Sequence, residues 1–188
     1  MQVGFDFQPT LRGPRITIRP IAADDWDELF EAAGDPKIWE QHPARDRYRE
    51  PVFREYFDEA IESGSAFVFV DRACGRIVGS SRYDGHDPVT REIEIGWTFL
   101  ARAYWGGSYN REIKQLMLQH AFRFVETVVL WVGVANLRSQ LATQKIGGVL
   151  RDGIHARDQD QDNPHVIFEV RRENWNEAQP GAAQTCEE

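Results

Sequence analysis

This chain has few cysteines and no long apolar runs, and each shortage excludes a class of protein. Only two cysteines occur among 188 residues, Cys74 and Cys186, which are too few and too far apart for a disulfide framework. The longest apolar stretches, such as residues 127–135, fall far short of the roughly 20 residues that a membrane span needs. Residues 1–10 lack a charged-then-apolar signal pattern. We therefore expect a cytoplasmic protein that is neither secreted nor inserted in a membrane.

Positive charge is also in deficit, with 22 Lys and Arg against 30 Asp and Glu and a net charge of -8. Phosphate-rich partners need clustered cations, so we expect no nucleic-acid partner and a substrate that is cationic or neutral. The histidines show no metal-ligand spacing. Four acidic residues fall on ligand positions of a calcium loop, but Asn163 replaces the glycine that such a loop requires, so no metal is expected: Asp158, Asp160, Asp162 and Glu169.

The chain has enough apolar residues for one folded core. Hydrophobic residues make up 41% and aromatics 12% of the sequence, which excludes a disordered protein. The length suits one domain, which we place at residues 1–175. Residues 176–188 lack hydrophobic periodicity, and we expect them to form a disordered acidic tail.

Hydrophobic periodicity predicts an α/β fold, with a largely antiparallel sheet of about seven strands flanked by four helices. The strands are predicted at residues 15–20, 66–71, 76–83, 90–100, 128–134, 149–155 and 165–170. The helices are predicted at residues 24–33, 51–61, 109–125 and 136–146. A turn at residues 34–36 is expected to end the first helix, and an acidic loop is expected to join the last two strands.

A glycine-containing segment, residues 104–111 (YWGGSYNR), lies between a predicted strand and a strongly periodic helix. Backbone N–H groups exposed at such a helix start point along the helix dipole and can bind phosphate oxygens. The glycines are equally consistent with a tight loop that binds nothing. The segment has no Gly-Lys-Ser/Thr, which excludes a P-loop.

Four features occur together in a fixed order along residues 15–175. They are the opening strand RITIRP, the segment EIGWTFL leading to YWGGSYNRE, a closing strand ending at Trp175, and the spacing of Asn136, Ser139, Lys145 and Gly147. In these features the chain resembles the GNAT superfamily of acyl-CoA-dependent N-acyltransferases. Within it, the chain is most similar to the branch of ribosomal-protein N-terminal acetyltransferases and their small-molecule relatives.

The resemblance implies a sheet splayed open between the strands ending at Leu100 and Val134, with acetyl-CoA bound in the opening. It assigns the pyrophosphate to a loop made of Trp105, Gly106, Gly107, Ser108, Tyr109 and Asn110. It assigns the pantetheine to Trp97, Thr98, Phe99 and Leu100, and further cofactor contacts to Asn136, Ser139 and Lys145. The chain departs from the family pattern at three loop positions, where Arg or Gln, Gly, and Gly or Ala are usual: Trp105, Ser108 and Asn110.

A free amine is mostly protonated at neutral pH, so transfer to an amine needs a base. Glu92 and Glu94 share one face of a strand, and either could take the proton directly or through water. Glu94 matches the position at which this branch of the family carries a functional glutamate, although both can equally be solvated strand residues. Thr143 occupies the position of the family's general-acid tyrosine. That role then falls to Ser139 or to no side chain.

The expected function is transfer of an acetyl group from acetyl-CoA to a primary amine by direct attack in a ternary complex. The acceptor is a small molecule or a protein N-terminus. A backbone N–H within residues 97–99 would stabilise the charge that develops on the thioester oxygen. The alternative is a non-catalytic acyl-CoA-binding or interaction module on the same fold. The sequence leaves both monomer and homodimer open.

Overall fold

The fold is built around one twisted sheet with helices on both faces. A computed structural model describes residues 4–157 and 160–175. The predicted tail, residues 176–188, and Asp158 of the calcium-loop pattern lie outside the described residues. None of the helices in the described ranges is long and apolar enough to cross a membrane.

The described residues form a sheet of nine strands. Eight of them follow one another in the order β1-β2-β3-β4-β5-β6-β9-β7, and β8 pairs with β9 off this path. Their bounds are β1 Leu11–Arg12, β2 Ile16–Pro20, β3 Ala66–Asp71, β4 Ile77–Asp87, β5 Glu92–Leu100, β6 Thr127–Gly133, β7 Val149–Leu150, β8 His155–Arg157 and β9 Asp160–Arg171. The neighbouring strands are antiparallel, except that β5 and β6 are parallel. The predicted α/β class with a largely antiparallel sheet is confirmed.

The described chain has five α-helices, one more than expected: α1 Trp26–Ala33, α2 Pro36–Trp39, α3 Glu50–Glu62, α4 Ser108–Ala121 and α5 Leu137–Gln144. The additional helix is α2, which begins within the predicted turn. The side chain of Asp35 accepts a hydrogen bond from the Lys37 N–H, and Pro36 occupies the first turn, where its missing N–H costs nothing. The turn residues therefore start a helix as well as ending one.

Three strands also differ from the prediction. β4 continues to Asp87, past its predicted end at residue 83, because its residues pair with Glu92 and Glu94 of β5. The strand expected at residues 149–155 is divided into β7 and β8, and Gly153 between them has a φ of +97°. β9 extends back to Asp160 through the expected acidic loop, where it pairs with β8. In each case cross-strand pairing decides the boundary.

The sheet separates two cores because alternate residues of each strand face opposite sides. Phe67 and Phe69 of β3 pack on the side of α4, whereas Val68 packs on the side of α1, α2 and α3. In α4, Ile113 and Met117 recur at helical spacing and are fully buried. Both faces of the central strands are therefore covered, and the cleft described below opens between strands.

The parallel pair β5–β6 is short. Its register covers only Glu92↔Thr127, Ile93↔Val128 and Glu94↔Val129. β6 remains paired to β9 along its whole length, and β5 remains paired to β4 as far as Leu100. Each strand is therefore held by its other neighbour while the two diverge, and a V-shaped opening forms between them.

Candidate active site

A cleft of about 260 Å³ occupies the opening between β5 and β6. Its walls come from the diverging halves of these two strands, from the start of α4 and from α5. Because β6 stops pairing after Val129, one backbone edge of residues 95–100 faces the cleft. N–H and C=O groups along such an edge are available to an extended ligand. The four residues predicted to bind pantetheine all line the cleft: Trp97, Thr98, Phe99 and Leu100.

The start of α4 closes one end of the cleft. Gly106 has a φ of +71°, which glycine adopts without strain, and Gly107 is the N-cap, which has no side chain to bond the first-turn N–H groups. No heavy atom lies within 4 Å of a Cβ built on either glycine, so open space surrounds both. Ser108 is helical, and its φ is not positive, so the strain that a serine could have brought to this loop is absent. The loop has the backbone geometry of an anion site.

The predicted loop residues are divided between the cleft and its rim. Trp105, Gly106 and Asn110 line the cleft, whereas Gly107 and Ser108 are exposed beside it. The ring of Tyr109 packs edge-to-face on Tyr104, with 4.9 Å between their centroids. The Trp105 indole N–H donates to the Leu100 carbonyl at 2.7 Å, and the Arg138 guanidinium lies 4.0 Å from the centre of the indole ring. Trp105 thus ties the loop to the end of β5.

A bulge at Trp97 shapes the middle of the cleft. Trp97 has a φ of +52°, unusual for a bulky residue, and the pairing with β4 shifts between Ser80 and Arg82. The Tyr56 hydroxyl donates to the Trp97 carbonyl at 3.0 Å. Tyr56 is buried, so this bond holds the strained backbone in place. The backbone of the bulge is thereby fixed where residues 96–98 line the cleft.

The start of α5 forms the opposite wall. The Asn136 side chain caps this helix by accepting from the Ser139 N–H at 3.1 Å, and both residues line the cleft. The capping role and the cofactor role predicted for Asn136 are therefore compatible. Thr143 is buried and lines the same wall. Lys145 is exposed beyond the end of α5.

The two candidate bases have different surroundings. Glu94 is 5% exposed, and the Arg157 guanidinium donates to it at 2.5 Å. Its carboxylate lies against Gly96, which lines the cleft: a Cβ on Gly96 would come within 2.6 Å of the Glu94 Oε1. Glu92 is ion-paired to Arg151, outside the cleft wall. The absence of a side chain at position 96 therefore lets the Glu94 carboxylate lie directly behind the cleft wall.

Burial raises the pKa of Glu94, and the charge and hydrogen bond of Arg157 oppose that rise. The net direction is upward. A carboxylate with a raised pKa is a better proton acceptor, and the positive charge of Arg157 favours its ionised form. Between the two predicted candidates, the geometry favours Glu94.

Comparison with known proteins agrees with this architecture. Residues 15–149 match the family model described as "Acetyltransferase (GNAT) domain". The chain belongs to the GNAT acetyltransferase family. The family predicted from the sequence motifs is confirmed, while the ribosomal-protein branch remains a prediction. A comparison with curated proteins finds no match.

Solved structures of GNAT acetyltransferases share this fold at low sequence identity. A probable acetyltransferase from Chromobacterium violaceum aligns with a TM-score of 0.78 and 19% identity, over 91% of this chain and 90% of that one. A GCN5-related N-acetyltransferase from Brucella melitensis gives 0.75 and 21%, over 89% and 80%. Spermidine N-acetyltransferase from Vibrio cholerae, solved with CoA and spermine, gives 0.65 and 15%, over 86% and 98%. These similarities show the fold alone.

Lys114 and His42 line the cleft of this GNAT protein but are not predicted from the sequence motifs. Lys114 on α4 is 6% exposed and lines the cleft, where its ammonium donates to the Thr98 hydroxyl at 2.8 Å. Burial lowers its pKa to about 7, against a weaker opposing effect of Glu94. The signal was present, because position 114 precedes Met117 and Leu118 by one helical turn and so falls on the buried stripe.

His42, a second cleft residue not identified from the sequence, lies in the loop between α2 and α3. Its Nδ1 accepts from the Ala44 N–H at 2.9 Å. Burial and the nearby Arg47 charge lower its pKa to about 3, so the ring is neutral at pH 7 with its proton on Nε2. Among the described residues, no group of three or more His, Cys, Asp and Glu is placed to hold a metal ion.

Proposed function

We propose that this GNAT protein transfers an acetyl group from acetyl-CoA to a primary amine by direct attack in a ternary complex. The observation that carries the proposal is the opening of the β5–β6 pair after Glu94. It forms a cleft with an exposed helix start at one end. The buried carboxylate of Glu94 lies directly behind Gly96 of the cleft wall. An amine acetyltransferase needs both groups, one for the cofactor phosphates and one for the amine proton.

The residues present fit acetyl-CoA. The first-turn N–H groups of α4, together with Gly106 and Asn110, would hold the pyrophosphate. The free backbone edge of residues 95–100 would pair with the pantetheine amides, and Ser139 borders the same space. When bound, acetyl-CoA supplies a thioester whose acetyl group passes to the amine while the thiolate leaves.

Glu94 acts as the base in this proposal and takes the amine proton through the gap that Gly96 leaves. Backbone N–H groups at the Trp97 bulge stabilise the oxyanion. The Ser139 hydroxyl is the donor on α5 available to the departing thiolate, which also leaves without help. The acceptor is a small amine or a protein N-terminus. The neighbour from Vibrio cholerae bound to spermine supports acetylation of amines within this fold.

Two measurements test the proposal. Acetyl-CoA at a hundredfold excess over its dissociation constant should stabilise the native state by about 2.7 kcal/mol. Gly106→Asp, which places a carboxylate beside the pyrophosphate, should abolish most of that shift. Gly4→Asp is the matched control at a glycine that also has open space around it. An undiminished shift in Gly106→Asp would refute the phosphate loop.

Turnover is then measured as release of the CoA thiol in the presence of a panel of amines. Acetyl-CoA binding followed by amine-dependent thiol release supports the enzyme. Binding without release from any amine would favour the alternative, a non-catalytic acyl-CoA-binding module, which the threonine at position 143 also suits. Absence of both would leave an interaction module on a GNAT fold.

A further inference from the structure

Two guanidinium groups without a carboxylate partner stack on aromatic rings around the Trp97 bulge, away from the phosphate loop. The guanidinium of Arg157, which is paired to Glu94, also lies 4.8 Å from the centre of the Trp97 ring. The Arg82 Cζ lies 3.5 Å from the centre of the Trp97 ring. The Arg47 Cζ lies 4.8 Å from the centre of the Tyr56 ring and 5.4 Å from that of Trp39. Trp39 and Trp97 line the cleft, and Tyr56 bonds the Trp97 carbonyl. Arg47 and Arg82 therefore stack on, and lie behind, aromatic residues of the cleft wall at the bulge.

Arg47 and Arg82 are held by aromatic rings and not by carboxylates. Within residues 4–157 and 160–175, neither forms an ion pair or a side-chain hydrogen bond, and the Arg82 Nε is buried with no partner. The carboxylates of Asp84 and Glu94 act on Arg82 from farther away, as those of Glu59 and Asp46 do on Arg47.

The buried carboxylate at the bulge is, by contrast, already neutralised, because Glu94 is paired to Arg157. Outside the cleft wall Glu92 is paired to Arg151, and beside the phosphate loop the Glu40 carboxylate lies 3.7 Å from the Arg138 guanidinium. The overall charge of -8 suggested a cationic or neutral substrate. Locally, the buried Glu94 carboxylate has a guanidinium partner, whereas Arg47 and Arg82 have no carboxylate within ion-pair distance in the part of the chain that the structure describes.

A partly buried cation without an ion-pair partner has an unfavourable desolvation free energy. Two such cations in one region are therefore stabilised when a bound ligand supplies an anion. Stacking on an aromatic face keeps the planar guanidinium fixed and its N–H groups free for bidentate bonds to a carboxylate or phosphate. Arg82 stands opposite Gly96 on the neighbouring strand, and Asp84 stands opposite Glu94. Arg82 and Glu94 are therefore near neighbours across two strands that lie roughly 5 Å apart.

We propose that the acceptor is a primary amine carrying an anionic group a few bonds away, with the anion bound by Arg82 and Arg47 and the amine facing Glu94. This inference rests on the proposed function and names its substrate class. An amino acid with a free carboxylate has this chemistry, and so does a peptide whose N-terminal residues include an acidic side chain. A polyamine does not have it.

Matched acceptor pairs that differ only in the anion test the proposal. Free amino acids are compared with their carboxamides, and C-terminally amidated Ser-Glu peptides with Ser-Gln peptides, with spermidine as the cationic comparison. Thiol release should give a kcat/KM at least about tenfold higher for the anionic member, the effect expected of one hydrogen bond to a charged group. A larger preference within the amino-acid pair would indicate a free amino acid as the acceptor. A larger preference within the peptide pair would indicate a peptide N-terminus.

The variant arm uses Arg82→Gln and Arg47→Gln. Each should lower kcat/KM for the anionic acceptor about tenfold and change that of its neutral partner less than threefold. Arg123→Gln is the matched control, because Arg123 is exposed and stacks on Phe124 at 5.6 Å, away from the cleft. An unchanged melting shift with acetyl-CoA confirms that each variant is folded. Arg82→Lys should restore part of the preference by returning the charge.

Equal use of both members of every pair, better use of spermidine, or a preference that survives both Gln variants would overturn the inference while leaving the enzyme intact. If acetyl-CoA binds but no amine releases thiol, the proposed function fails instead. The anion site is then judged by sulfate against sodium chloride of equal ionic strength. A melting shift with sulfate that disappears in Arg82→Gln supports the site, and the same shift in both proteins overturns it.

Discussion

Replacing Lys114 with methionine tests whether a lysine really lies uncharged in the cleft wall near neutral pH. The residue Lys114 is 6% exposed, and its ammonium forms one side-chain hydrogen bond, to the Thr98 hydroxyl at 2.8 Å. Burial lowers the pKa of Lys114 from 10.5 to about 7. Between pH 7 and pH 10.5, Lys114 is mostly protonated in the unfolded chain and mostly neutral in the folded one. Because the unfolded chain then binds more protons, the free energy of unfolding rises with pH over this range.

The size of the effect follows from the shift. The pKa falls from 10.5 to about 7, and each pKa unit corresponds to about 1.4 kcal/mol. Below pH 7, where Lys114 is charged in the fold, it therefore lowers the free energy of unfolding by roughly 5 kcal/mol. At pH 7 the cost is about 4 kcal/mol, and it vanishes near pH 10.5. Methionine keeps the length of the side chain and removes the charge. The Thr98 hydroxyl retains Ser81 as a partner at 2.7 Å, so no hydroxyl is left unsatisfied.

Lys114→Met should therefore be more stable than the wild type at pH 7, by up to about 4 kcal/mol, and the difference should close as the pH approaches 10. Urea unfolding at pH 7, 8, 9 and 10 measures it for both proteins. Lys145→Met, at an exposed lysine, controls for the loss of one positive charge. A difference between wild type and Lys114→Met that stays constant over this range would show that the lysine remains charged in the fold, and the argument would fail.

Two further predictions concern the base. Glu94→Gln should leave acetyl-CoA binding intact and lower turnover by roughly 10² to 10⁴, with the defect shrinking as rising pH deprotonates the amine in solution. Glu92→Gln is the matched control, and a pH-dependent defect in it would move the base to Glu92. Gly96→Ala would place a Cβ 2.6 Å from the Glu94 Oε1, so the carboxylate must move from the cleft edge; kcat should fall while the melting shift with acetyl-CoA persists. A normal kcat in Gly96→Ala would show that the position of Glu94 does not matter.

Much of the architecture was readable from local patterns. Alternation in strands and a four-residue recurrence in α4 report which face of an element is buried, and both are properties of neighbouring residues. The helix cap at Asn136 and the glycines before Ser108 were visible for the same reason. The prediction erred where pairing with another strand extended β4 and divided the strand at residues 149–155.

The sequence by itself determined the family, the class of fold and several segments that line the cleft, because short motifs and periodicity carry that information. Only the tertiary structure separated Glu94 from Glu92, two residues on one strand face whose surroundings differ. The partner of Glu94 is Arg157, 63 positions along the chain, and Arg47 meets Tyr56 and Trp39 only through the packing of a loop on two helices. Charge pairing and burial depend on such distant neighbours. No local pattern records them.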